Sequence, residues 1–474
     1  MSKIIKTMAE IVVGLLLLIF ICLRLDYMYV PDEAYHRVLF HSFYDEKENI
    51  DNVFLGSSHV YCDINPSILN KINGENNFNM STPGQRWDNT YFLLKEVAER
   101  NKLKHVYLEC YFGCDVDYVS WNREKRRYEV EDYIDKNENY SRSWLTSYYM
   151  NFGINKFAIQ LNASNLDHLM ENVFPFVRYR EQMFNWDYVD NNIEYRKSDE
   201  YQAYEWRSQD YVDADGSIWT SVAYPKGWVW SDGKLFDQEK LFPIDRDLEK
   251  YAIGEKSEKY IRKTIEFCEE NNIDVTMFIS PIFDTQLLST GNYDNYVSEI
   301  RSIANEYNVD FYDFNLIKSD YLDIKEGKYY VDIGHLNAAG ASIFTSMLWE
   351  ILSGTASENA GMFFDTYAEK LQEGPLVQYG LYYKDIAPGD QTADDGSPIY
   401  TRRHYYVATN RNGTAEFCIT RTISDGDDTT EDRSEIVQSY SKNDEFELPI
   451  SEHGVLTIVA RDGAAAENTI SVNY

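Results

Sequence analysis

The chain has 474 residues, enough for two or three domains, and 44% of them are hydrophobic, so a sizeable core can form. Its net charge of −33 argues against nonspecific binding to nucleic acid, and we expect no nucleic-acid partner. Six cysteines are too few for a disulfide framework. Cys110 and Cys114 could pair with each other, but free buried thiols are favoured.

The N-terminus carries an apolar run, Ile11–Leu23, that is preceded by Lys3 and Lys6. The run is shorter than the ~20 residues that span a bilayer, but its apolar neighbours can lengthen it if Arg24 extends its charge toward water. No small-residue cleavage motif follows it. We therefore expect an uncleaved signal anchor over residues 1–30, with the lysines inside and the remaining chain outside the cytoplasm. A cleaved signal peptide is the alternative.

Apolar strand-like runs then alternate with helical periodicity. The predicted strands are Val53–Leu55, Phe78–Met80, His105–Leu108, Asp274–Ile279 and Val309–Tyr312, and the predicted helices are Trp87–Arg100, Ser257–Asn271, Tyr296–Tyr307 and one from about Ala338. This alternation predicts a parallel, flavodoxin-like sheet with right-handed crossovers, which gives a three-layer α/β/α sandwich. We assign this α/β domain to residues 31–354.

Two other parts of the chain lack this alternation. Residues 114–241, rich in Tyr, Trp and Asn, are predicted to be an insertion that caps the site. Residues 355–474 begin with a small, polar linker and continue as short alternating runs, which predicts a β-sandwich of immunoglobulin-like or carbohydrate-module-like type.

The sequence implies no cofactor and no metal. The stretch DADGS, Asp213–Ser217, is similar to a calcium-binding loop. However, Tyr211 and Val222 stand where the first and last ligands of such a loop belong, so a solvated turn is favoured.

The stretch VFLGSSHVYCDINPSIL, residues 53–69, joins a strand to a helix through two serines. Gly56 allows a sharp turn, Ser57 and Ser58 supply hydroxyl groups, and Asn65 precedes a helix that begins at a proline. A strand, turn, serine and helix can lift a nucleophile above a sheet edge, although ordinary βα loops share this pattern.

A serine nucleophile needs a base and a group that orients the base. Among the eight histidines, His335 follows Asp332 by three residues, just after the last predicted strand and before the last helix. Asp332 can accept from one imidazole nitrogen while the other nitrogen faces Ser58. Loops at the carboxyl ends of parallel strands lie at one sheet edge, so we expect these side chains to meet. His59 is expected to point along the helix that follows it.

These motifs resemble those of the SGNH (GDSL-like) hydrolases. GSS at residues 56–58 resembles the first block of the family, with Ser57 in place of the usual Asp. DIGHLNAAG at residues 332–340 resembles the closing Asp-x-x-His block, and STPGQ at residues 81–85 stands where the second block supplies an oxyanion glycine, here Gly84.

The resemblance implies a role for each matching residue. Ser58 would be the nucleophile, His335 the base, and Asp332 the group that orients the base. The backbone N–H groups of Ser58 and Gly84 would form the oxyanion hole. The third block, Gly-x-Asn-Asp, is missing, because Glu-Cys-Tyr at residues 109–111 occupies its place. A slow, specialised transferase tolerates the loss of that donor better than a general esterase does.

The overall layout resembles membrane-anchored proteins of D-alanyl-lipoteichoic acid esterification and, more loosely, of alginate O-acetylation. Residues Asn172–Glu181 resemble an aromatic–arginine segment in their insertion, although a helix start stapled by aromatic residues explains them equally well. The resemblance implies a membrane-bound O-acyltransferase as partner and a cell-surface glycan as substrate. The hypothesis is an extracytoplasmic, membrane-tethered serine acyltransferase or esterase, with O-acetyl as the favoured group. The alternative is a catalytically inactive glycan-binding or scaffold protein.

Overall fold

The computed structural model describes residues 2–122, 127–132, 136–163, 168–208, 211–212, 218–235, 241–243, 252–284, 287, 293–354, 356–386, 400–411, 413–423, 433–463 and 467–474. The stretch Asp213–Ser217, which is similar to a calcium loop, lies outside them. All six cysteines are free thiols, and Cys110 and Cys114 are buried.

The helices and strands fall into three stretches of the chain. The first contains α1 (Ser2–Tyr29), α2 (Ala34–Asp45), β1 (Asn52–Gly56), α3 (Ser58–Asp63), α4 (Pro66–Asn73), β2 (Asn77–Ser81), α5 (Trp87–Ala98) and β3 (His105–Glu109). The second contains β4 (Asp117–Asn122), β5 (Arg127–Asp132), α6 (Lys136–Tyr149), α7 (Ile154–Ala163), α8 (Leu169–Val173), α9 (Trp186–Lys197), α10 (Asp199–Gln202), β6 (Trp206–Arg207), β7 (Tyr211–Val212), β8 (Ile218–Trp219), β9 (Ser221–Tyr224), β10 (Trp228–Ser231), β11 (Leu241–Pro243) and β12 (Ala252–Ile253). The third contains α11 (Glu255–Glu270), β13 (Asp274–Ile279), α12 (Tyr293–Glu306), β14 (Asp310–Asp313), α13 (Ala338–Leu352), α14 (Ala356–Asn359), α15 (Tyr367–Lys370), β15 (Gln378–Ile386), β16 (Arg402–Thr409), β17 (Glu416–Ile423), β18 (Arg433–Ser441), β19 (Glu445–Pro449), β20 (Gly454–Arg461) and β21 (Asn468–Asn473).

Five parallel strands form the central sheet in the order β14-β13-β3-β1-β2, which confirms the predicted parallel sheet. Gly56 at the end of β1 pairs with Ser81 at the end of β2. On the other side of β1, Leu55 pairs with Leu108 of β3. The loops that follow β1 and β2 therefore start side by side at one edge of the sheet.

Alternating side chains along the strands build two cores, one on each face of the sheet. Val53 and Leu55 point into a core that they share with helices α5, α11 and α12. Phe54, between them, points into the opposite core, together with Val60 of α3 and Phe344 of α13. The sheet thus lies between two helical layers, which confirms the predicted three-layer α/β/α sandwich.

The N-terminal helix α1 contains one segment, Ile4–Tyr29, that is long and apolar enough to cross a membrane. It is longer than the predicted apolar run, because the helix continues through Ile4 and Ile5 before the run and through Arg24 after it. Its apolar side chains are exposed as far as Leu23, whereas Tyr29 and Val30 are buried against the rest of the protein.

The segment between β3 and α11 contains helices α6 to α10 and small antiparallel sheets. One sheet has the order β12-β4-β5 and another the order β10-β9-β6. Helix α6 packs on α2 and α7, and helix α9 packs on α1. Strand β11 instead joins the C-terminal region, where it pairs in parallel with β15.

The C-terminal region contains two four-stranded sheets, with the orders β11-β15-β16-β19 and β18-β17-β20-β21. Alternate residues of β20, including Leu456 and Ile458, point inward and share one core with Leu381 and Val407 of the other sheet. Strands β15 to β21 pair antiparallel around this common core, and β11 adds one parallel edge strand, which confirms the predicted sandwich.

Candidate active site

The turn after β1 places two serines at the start of helix α3. Ser57 is the N-cap of this helix, and its hydroxyl accepts from the N–H of His59. Ser58 is the first helical residue and is only partly buried. The predicted strand–turn–serine–helix arrangement is therefore present, with Ser58 at the surface and Ser57 below it.

Ser58, His335 and Asp332 form a continuous chain of hydrogen-bonding groups. The Ser58 hydroxyl lies 2.7 Å from Nε2 of His335. Nδ1 of His335 lies 2.9 Å from each carboxylate oxygen of Asp332. Because Nδ1 faces a carboxylate, we assign the ring proton to Nδ1, which leaves Nε2 to accept from the serine. This arrangement has the geometry of a nucleophile, a general base and a group that orients the base.

The loop that carries Asp332 and His335 is held by its own backbone. The N–H groups of Gly334 and His335 donate to Asp332 Oδ1 at 2.8 and 2.9 Å. The N–H of Val331 donates to the carbonyl of His335, and the N–H of Leu336 donates to the side chain of Asp63, at the end of α3. The serine helix and the histidine loop are therefore joined by a contact besides the one between Ser58 and His335.

The prediction for the chain that leads to this loop was wrong. His335 was predicted to lie just after the last strand, whereas that strand, β14, already ends at Asp313. The chain between Asp313 and α13 contains 3-10 turns at Phe314–Leu316 and Gly327–Tyr329, and an isolated bridge pairs Tyr330 with Leu336. These short-range pairings are set by tertiary contacts and have no periodic signal in the sequence.

Ile333, inside the same loop, contacts the C-terminal sandwich. It packs with Tyr382 of β15 and Ala408 of β16. Its carbonyl accepts from the N–H of Phe283, which lies just beyond β13. The loop is therefore also supported by residues outside the serine helix.

The Asp332–His335 pair shifts the pKa values of both groups. Partial burial disfavours the charged carboxylate, but the imidazole and the hydrogen bonds from the N–H groups of Gly334 and His335 outweigh it and lower the pKa of Asp332 to about 2. Burial also lowers the pKa of His335, but the charge and hydrogen bond of Asp332 outweigh that effect and raise it above 6.5. Asp332 is thus ionised at neutral pH and stabilises the imidazolium.

A buried carboxylate, Glu109, lies beneath the serine turn. It accepts from the N–H of Ser57 at 2.7 Å and from the Ser57 hydroxyl at 2.9 Å. Its other oxygen lies 3.2 Å from Nδ1 of His59. A Cβ on Gly56 would overlap the Glu109 side chain, so the glycine permits this close approach.

The position of His59 differs from the sequence prediction. Its side chain does not run along the helix but turns inward and is 2% exposed. Its ring stacks on that of His335 with centroids 4.8 Å apart. Burial lowers the pKa of His59 in spite of the neighbouring Glu109, so the ring is neutral at pH 7 and does not oppose an imidazolium at His335. The sequence feature that could have indicated the inward position of His59 is Glu109, a carboxylate at the end of strand β3.

Gly84 lies in the loop that follows β2, the strand next to β1, and has a left-handed backbone with φ of 54°. A Cβ there would overlap the guanidinium of Arg142, which comes from helix α6 of the insertion. That helix is docked on this region, because Thr146 contacts Thr82 and Ser143 accepts from Asn89.

Tyr61 interacts with both Ser58 and Arg142. Burial raises the pKa of Tyr61, and interactions with the Ser58 hydroxyl and with the charge of Arg142 act against that effect. Arg142 is therefore a site residue that sequence reasoning did not identify. The sequence offers little indication of this position, since Arg142 is an isolated arginine in an irregular insertion. The role of the Ser58 and Gly84 N–H groups as an oxyanion hole stays a prediction.

Among the residues that the structure describes, no group of three or more His, Cys, Asp and Glu side chains is placed to hold a metal ion.

Comparisons with known proteins identify no family for this chain. No family model and no curated protein matches its sequence. A solved structure from Bacteroides fragilis, described as a candidate acylhydrolase, is 10% identical and covers 68% of this chain and 97% of its own, with a TM-score of 0.30. An engineered protein is 11% identical and covers 94% of this chain and 98% of its own, with a TM-score of 0.18. Likenesses this loose carry no argument about the chemistry, which rests on the geometry of the site.

We predict that the rate at which a fluorophosphonate probe labels Ser58 rises with pH, with a midpoint above 6.5. The reason is that His335 accepts the serine proton only when it is neutral, and its pKa is raised. Gel fluorescence of the full chain, with labelling rates measured across the neutral pH range, gives the midpoint.

The variant Asp332→Asn should move this midpoint to lower pH, because the charge that raises the pKa of His335 is removed while burial still lowers it. Its maximal labelling rate should fall roughly 10²–10⁴-fold, because the tautomer of the base is no longer fixed. Asp323→Asn, which changes an exposed carboxylate between β14 and α13, is the matched control and should behave as wild type. An unchanged midpoint in Asp332→Asn would contradict the assignment.

Gly84→Ala should slow the labelling of Ser58 by roughly 10²–10³-fold, the loss seen when an oxyanion donor is removed, because the new methyl group displaces Arg142 and strains the loop. Gly74→Ala is the control: its φ of 71° imposes similar strain, but a Cβ there meets no neighbour within 4 Å. Equal labelling rates in the two variants would show that Gly84 has no special role.

Proposed function

We propose that this chain is a membrane-tethered serine esterase or O-acyltransferase of the SGNH type. It acts outside the cytoplasm on acyl groups of a cell-surface polysaccharide, with O-acetyl as the favoured group. The observation that carries the proposal is the chain of contacts from the Ser58 hydroxyl through His335 to Asp332, with distances of 2.7 and 2.9 Å. A binding protein has no need for three such groups to be aligned at a partly exposed sheet edge.

In the proposed mechanism, the Ser58 oxygen attacks an acyl carbonyl while Nε2 of His335 takes the hydroxyl proton. Asp332 stabilises the imidazolium that results. The tetrahedral oxyanion is held by the N–H groups of Ser58 and Gly84. When the intermediate collapses, His335 gives its proton to the leaving alcohol and the acyl group stays on Ser58.

The second half of the reaction repeats these steps with a new acceptor. His335 removes a proton from the acceptor hydroxyl, which attacks the acyl-serine, and the proton then returns to Ser58. Water as acceptor gives an esterase, and a sugar hydroxyl gives a transferase. An acceptor would meet the insertion at Arg142, because helix α6 borders the site there.

Arg142 also supports the proposal by compensating for a missing group. This chain lacks the third SGNH motif, whose asparagine usually completes the oxyanion hole. A guanidinium beside Gly84 places a fixed positive charge next to the loop that would bind the oxyanion.

The proposed location rests on helix α1 and on the layout of the chain. Ile4–Tyr29 is long enough to cross a membrane, and Lys3 and Lys6 favour an N-terminus on the cytoplasmic side. A membrane-bound O-acyltransferase that passes acyl groups outward is the proposed donor, because the resemblance to lipoteichoic acid and alginate acylation proteins implies one.

Labelling by a fluorophosphonate and hydrolysis of an aryl acetate by the full chain in detergent test the chemistry. Ser58→Ala and His335→Ala should each lower both signals by several orders of magnitude, because neither half-reaction can proceed without them. Ser67→Ala removes a nearby exposed hydroxyl at the start of α4 and should retain both signals. Absence of both signals in the folded wild type would favour the inactive, glycan-binding alternative.

A further inference from the structure

Several large apolar side chains of the insertion are exposed to solvent. They are Phe152, Ile154, Leu161, Val173, Phe184 and Trp186, and Phe152 and Phe184 are each 87% exposed. We call these six residues the juxtamembrane face. Exposing large apolar side chains to this extent is unfavourable in water, and a group of such side chains marks an interaction surface.

The residues of this face lie next to segments that hold the outer end of α1. The Tyr29 hydroxyl donates to the carbonyl of Met183, and the Tyr188 hydroxyl donates to the carbonyl of Tyr29, at 3.0 and 2.9 Å. Phe184 and Trp186 lie between these two contacts in the chain. The turn that carries them is therefore fixed beside the end of the helix.

The chain segments next to Val173 and Phe152 are also held at this end of α1 and at Glu33, just beyond it. The N–H of Phe176, three residues after Val173, donates to Asp26 at 2.9 Å. The Tyr149 hydroxyl, three residues before Phe152, accepts from the N–H of Glu33 at 2.6 Å.

Helix α7, which follows Phe152, presents one apolar side. Ile154, Phe157 and Leu161 have the i, i+3, i+7 spacing of a single helix face, and all three are exposed. The ring of Phe152 packs edge-to-face on that of Phe157. The exposed apolar side of α7 is thus continuous with Phe152.

The height of these contacts along α1 can be compared with the thickness of a bilayer. The exposed apolar part of α1, Ile4–Leu23, is about 30 Å long at 1.5 Å per residue, which matches the hydrocarbon core. Asp26 and Tyr29, where the insertion holds the helix, lie roughly 5–9 Å beyond Leu23. That distance corresponds to the headgroup region of the bilayer.

We propose that the juxtamembrane face lies in the outer headgroup and upper acyl region of the lipid bilayer, so that α1 and this face together hold the protein against the membrane. The inference rests on the proposed anchoring by α1. Exposed Phe and Trp side chains suit that region, because they combine apolar contact with tolerance of a polar boundary. The exposed charges of Arg180, Glu181 and Asp187 lie beside them, where headgroups and water are available.

The test is depth-dependent fluorescence quenching of the full chain in phosphatidylcholine nanodiscs. Phe184→Cys and Ile154→Cys are labelled with an environment-sensitive fluorophore, and lipids that carry a nitroxide high on the acyl chain act as quenchers. Ile436→Cys, on the exposed strand β18, is the control outside the face, and Leu17→Cys in α1 is the reference inside the bilayer. Unsubstituted protein, labelled in parallel, gives the background from native cysteines.

The proposal expects several-fold stronger quenching at residues 184 and 154 than at residue 436. Fluorophosphonate labelling of Ser58 checks that each variant is folded. One result would overturn the lipid contact while leaving the anchor in place: strong quenching of Leu17→Cys together with quenching at residues 184 and 154 that is no greater than at residue 436. A protein partner would then be the candidate occupant of the face. An unquenched Leu17→Cys would overturn the anchoring as well.

Discussion

The Glu109 carboxylate is fully buried, and its contacts support the positions of both Ser58 and His335. One oxygen accepts from the backbone and the hydroxyl of Ser57, and the other lies against the ring of His59. Ser57 caps the helix on which Ser58 is the first residue, so the carboxylate helps to position Ser58. His59 stacks on His335, so the same carboxylate also supports His335. Loss of these partners would leave a buried carboxylate without compensating contacts, which is strongly unfavourable.

The parallel sheet brings together groups that are distant in the chain. Ser58 and His335 are separated by 277 positions, yet their side chains meet because both loops emerge at the same sheet edge. The serine follows its strand after a single residue, whereas the histidine is reached through a longer segment held by local backbone pairing. Ser58 is thus placed by the sheet, and His335 is placed largely by the helix and loops around it.

Much of this arrangement was predictable from the sequence, because it depends on periodicity and on short motifs. Each predicted strand of the α/β domain is present within a residue or two of its predicted bounds, as Val53–Leu55 within β1 illustrates. The Asp-x-x-His spacing at Asp332 and the turn at Ser58 likewise depend on local chain geometry. The direction of His59 and the approach of Arg142 to Gly84 were not predictable, since both follow from burial and docking between segments that are far apart in the sequence.

Ile333 links the C-terminal sandwich to the loop that carries Asp332 and His335. This residue sits between the aspartate and the histidine of the pair, and its side chain rests on Tyr382 and Ala408. The sandwich therefore packs directly against the loop that holds the Asp332–His335 contact. A displacement of β15 or β16 would therefore reach the backbone between Asp332 and His335 through the side chain of Ile333.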